Sequence, residues 1–199
     1  MVGYRSLQRS RYVDYGAALA WGALVGLRAR QAVAGDWLSA ILGLQSAVVA
    51  YLLVNRNGPR GEVPLTWQLL AWASALLPLA AWSGGTRLIP SGIAAFVAVF
   101  GLGLALWALC TLSRAFGIAP ADRGLVISGP YRWLRHPAYA GELLSVGAFV
   151  LAHARLWNVL LFAMLLFSLV VRMRMEEGVI EGYGAYALRV RRRLIPGLW

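Results

Sequence analysis

Charge is scarce in this chain of 199 residues. Only 14% of them are charged, whereas 60% are hydrophobic. So apolar a composition excludes an ordinary soluble domain of this size and indicates a polytopic membrane protein. Cysteine is nearly absent. The single Cys110 cannot form an internal disulfide and excludes a metal site built on cysteines. It lies within an apolar run and is expected to pack there; no metal is expected. Lysine is missing altogether, so the nineteen basic residues are all arginine, and the net charge is +11. In a soluble protein that charge would raise nucleic acid as a partner. Here the arginines cluster between apolar runs, which points to membrane orientation and anionic lipid, with no nucleic acid expected. There is no Ser/Pro-rich linker and no convincing small-residue cleavage site after Arg5, Arg9 and Arg11. A single membrane domain over residues 1–199, without a cleavable signal peptide, is the expectation.

What is there is a succession of six apolar segments: Val13–Leu27, Trp37–Val54, Leu65–Trp82, Leu88–Leu112, Pro137–Ala152 and Leu156–Val171. A crossing needs ~20 apolar residues, so the second to fourth suffice or nearly so, and the other three are short. One re-entrant or merged segment would reduce the count to five. Only His153-Ala154-Arg155 joins the last two, which predicts a tight helical hairpin with His153 as a structural residue of its turn. The predicted fold is all-α: a polytopic membrane bundle of five to six transmembrane segments, with residues 1–112 as scaffold. With the N-terminus inside, fifteen arginines fall on inner segments and four, Arg28, Arg30, Arg87 and Arg155, on outer loops. That bias predicts both termini in the cytoplasm, and the inner membrane of a bacterium as the location. Pro64 and Pro137 suit helix starts, and Pro78 and Pro90 suit kinks. Gly22 with Gly26, and Gly101 with Gly103, read as helix-packing surfaces. Trp21, Trp37, Trp67, Trp82 and Trp157 read as interfacial anchors.

The most informative stretch is RHPAYAG, Arg135 to Gly141, preceded by GLVISGPYRWL, Gly124 to Leu134. Polar groups at a membrane boundary are costly to bury and therefore mark a site. Arg172-Met-Arg174-Met-Glu176-Glu177 supplies matching charges at the end of the next apolar run. The hairpin brings these two stretches together on the cytoplasmic side. Glu142 lies in the fifth segment, where a carboxylate is a functional candidate by default, the alternative being a pair with Arg135 or Arg132. Arg191–Arg193 read as a lipid anchor.

The run GLVISGPYRWLRHPAYAGELL, followed by RMRMEE, YGAY and LIPG, resembles the isoprenylcysteine carboxyl methyltransferase family, which shares its membrane architecture with the phospholipid N-methyltransferases. The resemblance covers Arg114 to Trp199. It implies a helical bundle whose C-terminal hairpin encloses S-adenosylmethionine at the cytosolic face, making 113–199 the cofactor-binding catalytic region. It implies cofactor contacts at Arg123, Gly124, Leu125, Val126, Tyr131, His136, Pro137, Ala138, Tyr139 and Glu176, with Glu177 beside them. It also implies that Arg172 orients the acceptor, so that Arg172 and Glu176 carry the catalysis. Phe116 and Arg189 depart from the family pattern, which puts the substrate less within reach of the resemblance than the cofactor.

The chemistry agrees with these residue types. Methyl transfer from a sulfonium is an in-line displacement that needs proximity. A carboxylate acceptor is already ionised and needs an arginine fork to hold it, not a general base. A glutamate suits the cofactor's ammonium group and aromatic faces suit its cation. The acceptor is expected to be a lipophilic small molecule or lipid that arrives sideways from the bilayer; an amine or thiol remains an alternative. The bland reading of Arg172 and Glu176 is an i,i+4 pair with each other. Two other classes stand beside the methyltransferase. An NADPH-dependent membrane reductase has no GxGxxG fingerprint here. A transporter or scaffold lacks its signature of interrupted helices in two repeated halves.

Overall fold

The computed structural model describes residues 11–194. Arg5 and Arg9, and the LIPG segment beyond Leu194, lie outside the described residues. The chain is helical almost throughout: α1 (Arg11–Val33), α2 (Trp37–Asn55), α3 (Leu65–Ala75), α4 (Ser91–Leu112), α5 (Pro137–Ala152), α6 (Leu156–Val179) and α7 (Tyr183–Arg189). Two two-residue strands, β1 (Gly61–Glu62) and β2 (Ala121–Asp122), pair antiparallel and tie the loop before α3 to the loop after α4. Two helical stretches, Ser91–Ala115 and Leu156–Val179, are long and apolar enough to cross a membrane.

Each expected apolar segment contains a helix, but several boundaries differ for physical reasons. Leu65–Trp82 is not one span: α3 stops at Ala75 and a 3-10 turn follows at Leu77–Ala80. Pro78 sits in that turn, where its missing N–H costs nothing. Pro90 does not kink a helix; it caps the start of α4, as Pro64 caps α3. The sixth segment runs on to Val179, so Arg172, Glu176 and Glu177 are part of α6.

The closest helix pairs are α1 with α2 and α4 with α5. Glycine makes the second contact possible. A Cβ on Gly141 of α5 would stand 2.5 Å from the Ala105 nitrogen of α4, and one on Gly101 would stand 2.7 Å from the Ser145 nitrogen of α5. Gly22, Gly26 and Gly103 make no such approach: the space beside them is open. Trp21 is no interfacial anchor; it is buried edge-on against Trp72. Trp67, Trp82 and Trp157 are exposed, whereas the Trp37 side chain lies outside those described. Cys110 does not pack inside; it is free on an exposed face of α4.

Four arginines are buried among the described residues: Arg28, Arg56, Arg123 and Arg172. Arg28, expected in an outer loop, belongs to α1, donates from Nη2 to the Pro78 carbonyl (2.6 Å) and lies over the Phe149 ring. Arg56 forms a buried ion pair with Asp14 of α1. Arg123 and Arg172 belong to the site described next.

Candidate active site

Two i,i+3/i+4 ladders build the site. On α5, Tyr139, Glu142 and Val146 share a face; on α6, Arg172 and Glu176 share another, with Ile180 just past its end. Both faces line one cavity with about 1340 Å³ of empty volume.

The polar part of the wall is closely cross-linked. The Tyr139 hydroxyl donates to Glu176. The His136 ring stacks on Tyr139, with centroids 5.6 Å apart, and its Nδ1 is 3.6 Å from Glu176 Oε2. Its Nε2 is 3.3 Å from Glu177 Oε1 and 3.1 Å from the Tyr183 hydroxyl. Burial pushes the His136 imidazole toward neutrality, but the hydrogen bonds and charges of Glu176 and Glu177 outweigh it and raise its pKa. Tyr131 is buried beneath the cavity, and burial with the nearby Glu176 charge lifts its phenol well above the ordinary range. Burial pushes Tyr186 up to about 12, against the opposing charge of Arg135. Both phenols therefore remain protonated donors near neutral pH. Tyr186 uses its hydroxyl on the Tyr131 carbonyl (2.7 Å), fixing α7 over the site.

Arg172 does not pair with Glu176. Its Nη2 donates to the Ile118 carbonyl (2.7 Å), its Cζ lies 4.9 Å from the centre of the Tyr139 ring, and its Nε has no hydrogen-bond partner among the described residues. Arg123 is buried and donates to the Asn57 carbonyl. Gly124 has φ of +100°, a conformation that favours glycine, and its N–H donates to Asp122 in a tight turn. No atom lies within 4 Å of where its Cβ would be.

Ten of the expected residues line this cavity: Arg123, Gly124, Leu125, Val126, Tyr131, His136, Ala138, Tyr139, Arg172 and Glu176. Two do not. Pro137 is buried as the first residue of α5. Glu177 faces the other way, taking two 2.9 Å hydrogen bonds from Arg193 and one of 3.4 Å from Arg135. Arg193 is thus a clamp on α6, not a free lipid anchor. Arg135 also donates to the Val190 and Ala187 carbonyls, and the backbone N–H groups of Arg135 and His136 donate to Arg192 and Arg193. The residues after α7 therefore strap the start of α5. His153 is structural as expected, accepting from the Gly84 N–H and packing on Phe149.

Sequence reasoning missed three contributors. Tyr183 and Tyr186 have a visible signal, since YGAY spacing puts both on one face of a short helix. Gln45 has none. It is one polar residue on an α2 face, Leu42, Gln45, Ser46 and Val49, that lines the cavity with Trp21 and Pro78. The cavity wall therefore extends well beyond 113–199. Among the described residues, no three His, Cys, Asp or Glu side chains gather as metal ligands.

Residues 93–181, from the start of α4 to just beyond α6, match the model of the isoprenylcysteine carboxyl methyltransferase family. No curated protein and no solved structure matches the chain. The matched stretch is under half of the chain and contains both helical faces that meet at the cavity; over it the chain is similar to the isoprenylcysteine carboxyl methyltransferase family, a family of membrane methyltransferases.

Proposed function

We propose that the protein is an S-adenosylmethionine-dependent methyltransferase that esterifies a lipophilic carboxylate drawn from the bilayer. The observation that carries this reading is one cavity with two kinds of wall. Arg123, Tyr131, His136, Tyr139, Glu176 and Tyr183 make a polar part; Trp21, Leu42, Val49, Pro78, Leu109 and Leu112 make an apolar part.

The residues present fit the cofactor. Glu176 offers a carboxylate to its ammonium group, and Tyr139, Tyr131 and His136 offer aromatic faces. The turn at Gly124 leaves room for close approach of a ligand to the backbone. When bound, S-adenosylmethionine supplies a methyl carbon that bonds to the acceptor oxygen as its bond to sulfur breaks, giving a neutral ester and a neutral thioether. No proton is released, so the chain needs no general base. The Arg172 guanidinium, fixed by Ile118 and Tyr139, holds the acceptor carboxylate, and the apolar wall excludes water.

Five to six of the helical segments make the crossings, with α5 and α6 as the C-terminal hairpin, both termini cytoplasmic, and a bacterial inner membrane as the location. Two tests separate this reading from a reductase. The purified protein in detergent should bind labelled S-adenosylmethionine and not NADPH. Glu176→Gln should weaken that binding roughly 10- to 150-fold, the equivalent of a charge-assisted hydrogen bond of ~1.5–3 kcal/mol. Tight NADPH binding, or full affinity in a folded Glu176→Gln protein, overturns the assignment.

A further inference from the structure

Glu142 and Gln45 are left over when the polar groups of the cavity have been matched to partners. Both line it. Glu142 was the candidate for pairing with Arg135 or Arg132, yet Arg135 is used on Val190, Ala187 and Glu177. Among the described residues, Glu142 makes no hydrogen bond and no ion pair, although it lies within the electrostatic reach of Arg172. Gln45, on the apolar wall, has a buried Oε1 without a hydrogen-bond partner among the described residues. Both leftover oxygens are acceptors. A buried acceptor left unmatched, as Gln45 Oε1 is, costs about 1–3 kcal/mol, so the cavity is matched to a ligand that brings donors.

Helix geometry says where those donors sit. The α5 and α6 chains run in opposite directions, with His136 near Glu177 and Tyr139 bonded to Glu176 at one end. Glu142 is three residues further along α5 than Tyr139, and Arg172 is four residues before Glu176 on α6. At 1.5 Å per residue these steps are about 4.5 Å and 6 Å in the same direction. Glu142 and Arg172 therefore form a layer of their own, next to the Tyr139–Glu176 layer assigned to the cofactor. An acceptor whose carboxylate lies on Arg172 would place its neighbouring carbons beside Glu142.

We propose that Glu142, with Gln45, is the specificity-determining subsite for the acceptor, and that it selects a lipophilic acid carrying a hydroxyl or ammonium group on the first or second carbon from the carboxylate. The proposal rests on the acceptor class assigned above. Glu142 receives the donor of the acceptor's head, and Gln45 Oε1 is available to a second N–H or O–H. A plain fatty acid satisfies Arg172 but leaves Glu142 facing both a carboxylate and an apolar chain, which disfavours it.

The test compares three long-chain acids of equal length: the parent acid, its β-hydroxy form and its α-amino form. The full chain in detergent is assayed for methyl transfer and, separately, for thermal stabilisation by each acid without turnover. The wild type should favour the hydroxy or the amino acid over the parent by roughly 10- to 150-fold in kcat/KM, the worth of one hydrogen bond to a charged group. The better of the two identifies the donor. Glu142→Leu should erase the preference, and Gln45→Leu should reduce it. Equal use of all three acids, or a preference untouched by Glu142→Leu in a folded protein, overturns the subsite while leaving the methyltransferase reading standing. Glu142-dependent stabilisation by the donor-bearing acids without methyl transfer keeps the subsite and overturns the reaction. Stabilisation by none of the acids overturns both.

Discussion

The Arg172 guanidinium is held from two sides, by the Ile118 carbonyl and by the face of Tyr139, so it arrives at the cavity already oriented. That fixed orientation makes its planar shape matter. Arg172→Lys should lose most methyl transfer, because an ammonium reproduces neither the stacking nor the fork. Cofactor binding, by calorimetry, should change far less than with Glu176→Gln. Full activity in the lysine variant would show that Arg172 does not recognise a carboxylate. His136 makes a second prediction. Its folded pKa is raised above the ordinary 6.5, so the imidazolium's stabilisation is complete below the unfolded value and is lost as pH rises through the folded one. Thermal unfolding of the wild type and His136→Asn should differ most near about pH 6 and progressively less toward about pH 9. A gap that stays constant across that range contradicts a charged His136 between Glu176 and Glu177. At this scale the motif residues were legible, because their neighbours in sequence announce them. Gln45 and the Asp14–Arg56 pair were not. An isolated glutamine on an apolar face has no pattern, and Arg56 finds its partner 42 residues away.

The α4–α5 contact explains the last residue of RHPAYAG in a way the motif does not announce. Gly141 binds nothing in the cavity; it lets α5 lie directly on the backbone of α4. An added side chain would meet Ala105 and Gly101 backbone atoms, which cannot rotate aside. Gly141→Val should therefore lower the stability of the protein in detergent by at least about 1–3 kcal/mol, read from thermal unfolding. Gly22→Ala, facing open space, should be nearly neutral. If both variants unfold with the wild type, the close approach of the two helices is wrong. The apolar runs located α1 to α6, left α7 unmarked and misplaced several ends. Those ends were decided by prolines taking cap and turn positions, and by α6 continuing past its apolar part because its polar residues have partners across the cavity. GxxxG spacing misled at Gly22 and Gly26, because it reports that two glycines share a face, not that another helix lies on it; of Gly101 and Gly103, which lie close together without that spacing, only Gly101 meets α5.

Across the whole molecule, the C-terminal half supplies the charged chemistry and the N-terminal helices supply an apolar wall with one polar break. The first half of that division was legible, since RHPAYAG and RMRMEE stand out against an apolar background. The second was not, because every residue facing the cavity from α2 except Gln45 and Ser46 looks like an ordinary membrane-helix residue. The central claim is that this cavity joins a methyl donor to a lipophilic carboxylate. Its most direct test uses the purified full chain, S-adenosylmethionine labelled in the methyl group, and a total membrane lipid extract. The account predicts that label enters the lipid phase and is released as labelled methanol by mild alkali, as an ester requires, and that Arg172→Ala abolishes the transfer. Label that resists alkali, as on nitrogen or sulfur, or no transfer to any lipid fraction by a protein that binds the cofactor, would contradict it.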